Sequence, residues 1–154
     1  MHEVQNLKQI RDEMEENTAG LGVVDRETAV KDLRFLCSRL GLGLLNNVKH
    51  FSLHNSESKK LCDFLVIGQD VAQHKTVSFP TSDINVDDPN MFVAVVVYNN
   101  GTVRDAYLFP CTEFKKPGFF SMFNNKKGVC SISVSKEDKL KDYSFGHVIG
   151  KIGK

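Results

Sequence analysis

The chain has 154 residues, 41% hydrophobic and 25% charged, which is the composition of one globular domain large enough to bury a core without disulfide or metal staples. Lys and Arg number 20 against 19 Asp and Glu, and a net charge of +1 argues against a generally basic nucleic-acid binder. Collagen-like, disordered and disulfide-scaffold classes are excluded by the same composition.

The start "MHEVQNLKQIRDEMEEN" is polar and acidic where a secretion signal needs a basic start followed by an unbroken apolar run. Val4, Leu7, Ile10 and Met14 recur at helical spacing over 3–16, so residues 1–20 read as a narrow-striped amphipathic helix that can pair with its twin in a homodimer. Residues 21–154 read as a single α/β domain. "NTAGLGVV" breaks the pattern, and Asp25 then offers an N-cap for a helix over 26–40, ended by Gly41. Its apolar residues Ala29, Val30, Leu33, Leu36, Cys37 and Leu40 make a wider stripe, which predicts flat packing on the core.

From 44 the period changes towards 2, and "LLNNVKHFSL", "CDFLVIG", "KTVSF", "MFVAVVVY" and "VRDAYLFP" read as five strands. "MFVAVVVY" is apolar on both faces and therefore central; at 8 residues it is far too short to cross a bilayer. Asn100 and Gly101 in "YNNGTVRDAY" predict a tight hairpin, because both turn positions tolerate positive φ. "TSDINVDDPN" reads as a loop, "CTEFKKPGFFSMFNNKKG" as irregular, "VCSISVS" as a strand, and a short helix starts at Ser135 with Asp138 as capping partner.

Cys37, Cys62, Cys111 and Cys130 are widely spaced, with no C-x-x-C and no histidine at zinc-finger distance, so they read as buried, reduced thiols of a bacterial cytoplasmic protein. His50 and His54 share one face of a strand about 13 Å apart, too far for one metal. "GLGVV" and "GLGLL" lack the strand-to-helix setting of a dinucleotide fingerprint. Charge alternates along the chain, and the C-terminal quarter is basic. There Lys115, Lys116, Lys126 and Lys127 flank Phe119, Phe120 and Phe123, an interleaving that can track a nucleic-acid backbone and stack bases. The commoner arrangement is phenylalanines in the core with lysines as a solvated rim.

A helix with a glutamate, a strand with an early aspartate and a further strand after a short loop together resemble the restriction-endonuclease-like, PD-(D/E)xK superfamily, especially its small bacterial members. The matching pieces are "RETAV" with Glu27, "CDFLVI" with Asp63, and either "VSFPTSD" or "QHKTVSF" for the last motif; "FVAVVVYNNGTVRDAYLFPCTEF" resembles the paired strands that follow it. The likeness covers about 25–150. It implies a central mixed five-stranded sheet flanked by helices, with clustered carboxylates holding Mg²⁺ and a lysine orienting the attacking water. In the first register Ser78 replaces the metal-binding acid and Pro80 the lysine. In the second, Gln73 replaces the acid and Lys75 supplies the lysine. The resemblance therefore implies a catalytically degenerate domain without cofactor, retained as a nucleic-acid or protein interaction module. The alternative is an active Mg²⁺-dependent deoxyribonuclease using Glu27, Asp63, Gln73 and Lys75, with Asp63 as metal ligand. A structural homo-oligomer is a further expectation.

Overall fold

The computed structural model describes residues 22–115, 122–134 and 137–152. The expected N-terminal helix and its homodimer contact, and also Lys116, Phe119, Phe120 and Ser135, lie outside these residues.

The architecture follows from one strand. β6, defined as Met91–Asn99, is buried from Met91 to Tyr98. Because side chains alternate along a strand, Phe92, Ala94, Val96 and Tyr98 enter one core, and Met91, Val93, Val95 and Val97 enter another on the opposite face. Both faces need cover, and each has a different one. Helix α1 (Arg26–Ser38) lies on the first face through Ala29, Leu33 and Cys37, together with Phe145 and Val148 of a short C-terminal helix, Phe145–Ile149. A second sheet lies on the other face, contributing Val77, Phe79, Phe123, Cys130 and Ile132.

The main sheet has six strands: β1 (Val23–Val24), β2 (Gly43–Asn47), β3 (His50–His54), β4 (Lys60–Asp70), β6 and β7 (Thr102–Pro110). The path runs β2-β3-β4-β6-β7, and β1 joins β4 at Gly68 and Gln69. Only β4 and β6 are parallel. The crossover between them carries β5 (Thr76–Pro80), which leaves the main sheet and pairs with β9 (Val129–Ser133), itself paired with β8 (Phe123–Lys126).

Several expectations hold. Asp25 caps α1, its Oδ2 accepting from the Thr28 N–H at 3.4 Å; Gly41 follows the helix at φ 74°; Asn100 and Gly101 turn the β6–β7 hairpin at φ 52° and 82°. The mixed sheet and α/β class also hold, with differences. The sheet has six strands rather than five, and one face is covered by strands instead of helices. β5 departs because Val77 and Phe79 alternate with exposed residues, a one-faced pattern suited to an outer sheet. The single strand expected over 44–53 is a hairpin, with Val48 at φ 51° in its turn. The helix expected over 26–40 ends at Ser38, leaving Leu40 exposed. The stretch expected to be irregular holds β8, whose turn takes Lys127 and Gly128 at positive φ.

Two contacts fix how these pieces meet. Gly68 sits where α1 and β1 cross β4, and a Cβ there would lie 2.8 Å from Val24 Cβ and 2.9 Å from Ala29 Cβ. Asp70, at the end of β4, accepts backbone N–H groups from Gly101 at 2.8 Å, Ala72 at 3.0 Å and Asn100 at 3.1 Å, tying the β6–β7 turn to the β4 exit. These bonds, that of Gly101 foremost, hold the Asp70 carboxyl below its ordinary pKa.

Gly68→Ala is expected to destabilise by about 1–3 kcal/mol through overpacking, against a near-neutral Gly43→Ala, where a Cβ meets nothing within 4 Å; urea midpoints measure both. A carboxyl depressed in the folded state adds stability above the unfolded pKa of about 4, and that stability is lost as pH falls through the folded value. Asp70→Asn is therefore expected to lower Tm at neutral pH, with the gap to the parent protein narrowing at acid pH.

Candidate functional site

Asp63 is the fourth residue of β4, and its neighbours occupy it. Asp63 Oδ1 accepts from Ser52 Oγ at 2.9 Å, directly across from it on β3, and Oδ2 pairs with Lys60 Nζ at 2.8 Å. Ser52 Oγ in turn accepts from Asn47 Nδ2 at 3.4 Å. Alternation along β4 points Asp63 away from α1, to the face that carries Leu65, while Cys62 and Phe64 enter the helix-side core. The result is a cross-strand polar chain of one acid and one base.

Gln73 and Lys75 lie beyond the other end of the same strand. Asp63 and Asp70 are seven positions apart on extended chain, a span of about 23 Å. Both Gln73 and Lys75 are exposed in the turn that leads to β5. Glu27 is exposed in the first turn of α1, just after β1 pairs with Gly68 and Gln69. The fold thus leaves Asp63 near one end of β4 and Gln73 and Lys75 beyond the other. Among the described residues, no group of three or more His, Cys, Asp or Glu side chains is placed to hold a metal ion.

The other register leads to a real concavity. Where α1 leaves the sheet after β1 and before β3 begins to pair, residues 65–67 of β4 line a cleft of about 430 Å³. β5 forms its opposite wall with Val77, Ser78, Phe79 and Pro80, and Asp25, Arg26 and Asp83 stand at the rim. Its size is within the range of small-ligand pockets, and its lining mixes apolar strands with a few polar groups. The His50 ring holds the rim by a 2.6 Å hydrogen bond from Nε2 to the Asp83 carbonyl. Ser78 and Pro80 therefore line a cleft, although neither supplies a metal ligand or a cation. In the sequence Arg26 and Asp83 have no role, although they stand inside "RETAV" and "VSFPTSD", and Asp25 is marked only as a helix cap; only the return of β5 beside β4 puts all three on one cleft.

The basic C-terminal patch is divided. Lys126 and Lys127 are exposed at the β8–β9 turn, which abuts the cleft side of the molecule through Thr81: its N–H donates to the Gly128 carbonyl at 2.9 Å and its Oγ1 to Asn125 Oδ1 at 3.0 Å. Lys115 pairs with Asp87 at 2.9 Å. Phe123 is buried, its ring 5.3 Å from Phe114, 5.4 Å from Tyr143 and 5.6 Å from Phe109. It packs the second core and is not available to stack on bases.

The four cysteines are buried and unpaired with one another, as the sequence leads one to expect. Burial pushes the Cys37 thiol up to about 11 and those of Cys62 and Cys111 up to about 12, and raises Cys130 as well. Thiols so far above neutral are poor nucleophiles. Ellman's reagent at pH 8 is expected to find no fast-reacting thiol in the native protein and four in urea; a fast thiol before unfolding contradicts this burial.

No protein-family model matches the sequence, and comparison with curated proteins and with solved structures likewise finds no match.

Proposed function

We propose that this chain is a non-catalytic interaction domain, a degenerate relative of the nuclease-like superfamily that its motifs resemble. The observation that carries the reading is the state of Asp63. Its carboxylate is taken up by Ser52 and Lys60, and the length of β4 separates it from Gln73 and Lys75. Mg²⁺ needs several hard oxygen ligands around one point, and a lone aspartate facing a lysine does not supply them. The residues present therefore do not fit the ion, and no hydrolytic step is derived through it.

Between the two kinds of partner, protein is favoured over nucleic acid. Of the three phenylalanines in the patch, Phe123 lies in the core, and Lys115 already has a carboxylate. Among the described residues, the patch lysines left exposed and unpaired are Lys126 and Lys127 of one short turn.

Parent protein and Asp63→Ala, incubated with plasmid and single-stranded DNA in Mg²⁺ or Mn²⁺, are both expected to leave the DNA intact. Cleavage by the parent that the variant loses overturns the reading. In a gel shift at low salt, no retardation is expected that the double variant Lys126→Glu/Lys127→Glu removes; retardation lost in that variant restores nucleic acid as the ligand.

A further inference from the structure

Among the described residues the main sheet ends at β2, which pairs there only with β3, and this edge is unusual in three ways. It is uncharged from Gly43 to Asn47, without the lysine, proline or bulge that normally discourages pairing at an edge. Beside the exposed Asn46 and Asn47 it presents large apolar side chains to water: Leu45 is 56% exposed, Val48 in the adjoining turn 100%, and Leu40 just before the strand 54%. And Val48 holds a left-handed φ of 51°, a position that tight hairpins normally give to Gly, Asn or Asp and that a β-branched side chain strongly disfavours. A fully exposed valine held in strain gains nothing for the fold, and such strain concentrates where a surface is used.

The charge around the edge selects the partner. Residues 33–56 contain Arg34, Arg39 and Lys49 and no acid. Arg34 reaches from α1 to the edge and donates its Nε–H to the Leu44 carbonyl at 3.1 Å. Leu44 therefore turns its backbone groups away from β3, its carbonyl already bonded to Arg34, and by alternation Asn46 also turns outward and is the residue whose backbone groups a further strand would use. Leu44 itself is buried under α1, so Leu45 belongs to the opposite face. A strand laid against β2 has side chains that alternate in the same way. Those on the helix side meet Arg34 and favour carboxylates; those on the other side lie beside Leu45 and favour apolar groups. A second copy of the chain fits less well, since antiparallel pairing of β2 with itself brings together two sets of Arg34, Arg39 and Lys49.

We propose that β2 is a docking edge for an extended segment of another protein in which acidic and apolar residues alternate, added to the sheet as a further strand. This inference is independent of the nuclease likeness: DNA cleavage through Asp63 leaves it standing, and its failure leaves the non-catalytic reading intact. The test uses the full chain and a short fluorescein-labelled peptide of alternating glutamate and valine, read by anisotropy, with the lysine–valine counterpart as control. Saturable binding of the acidic peptide is expected, with none by the basic one and a loss of affinity as salt is raised.

Two variants at exposed positions keep the test specific. Asn46→Pro removes one outward N–H, which an edge strand tolerates, and Leu45→Gln removes the apolar contact without adding charge; each is expected to weaken binding by roughly tenfold or more while thermal unfolding stays close to the parent's. No binding of the acidic peptide, equal binding of the basic one, or binding untouched by Asn46→Pro and Leu45→Gln overturns the proposal. Sedimentation of the parent as a dimer that Asn46→Pro converts to monomer also overturns it, and assigns the edge to a second copy.

Discussion

Everything in this fold is arranged around the burial of β6 on both sides. A strand whose alternate residues are Phe92, Ala94, Val96 and Tyr98 on one face and Met91, Val93, Val95 and Val97 on the other cannot lie at a surface. Fully burying each large apolar side chain contributes about 1.5–3 kcal/mol, so two covering layers are required to realise it. The helix supplies one layer and the small β5-β9-β8 sheet the other. Tyr98 shows how tightly the first layer is attached: its hydroxyl donates to Asp32 of α1 at 2.5 Å, and burial together with that carboxylate raises the phenol pKa.

The polar groups inside this frame serve its geometry. Asp70 gathers three backbone N–H groups at the point where β4 ends and the β6–β7 hairpin turns. Gln69, 1% exposed, donates from Nε2 to the His74 carbonyl at 2.9 Å and steadies the start of the crossover. Asp63 closes the β3–β4 pairing through Ser52 and Lys60. A carboxylate satisfied in this way lowers the free energy of the folded chain but has little left to offer a metal ion. That is what the proposed degenerate reading rests on: Asp63 is present and already used.

Much of the local structure was legible in the sequence. The cap at Asp25, the stop at Gly41, the Asn100–Gly101 hairpin, the central place of β6 and the burial of the four cysteines each follow from a short-range rule about φ, capping or periodicity. The misreadings share a different cause. A run such as 44–53 has one strand period whether or not it folds back, and only the pairing of Leu44 with Leu53 makes it a hairpin. The alternation in "TVSFP" gives a strand with one buried face but does not say which sheet receives it.

The candidate site was legible only in its parts. Ser78, Pro80 and Glu27 were recognised as positions of a motif, while Arg26 and Asp83 lay within the same motif pieces without a role and Asp25 was marked only as a cap. The sequence by itself determined the helix, the strands with their two-faced or one-faced burial, and the tight turns, because each depends on residues within a few positions of one another. Tertiary structure alone decided that β5 leaves for a second sheet, that Asp63 and Lys75 stand at opposite ends of β4, and that β2 is an open edge among the described residues. These depend on which distant segments share a surface, and that is set by packing the two faces of β6, a constraint that no single stretch of the chain contains.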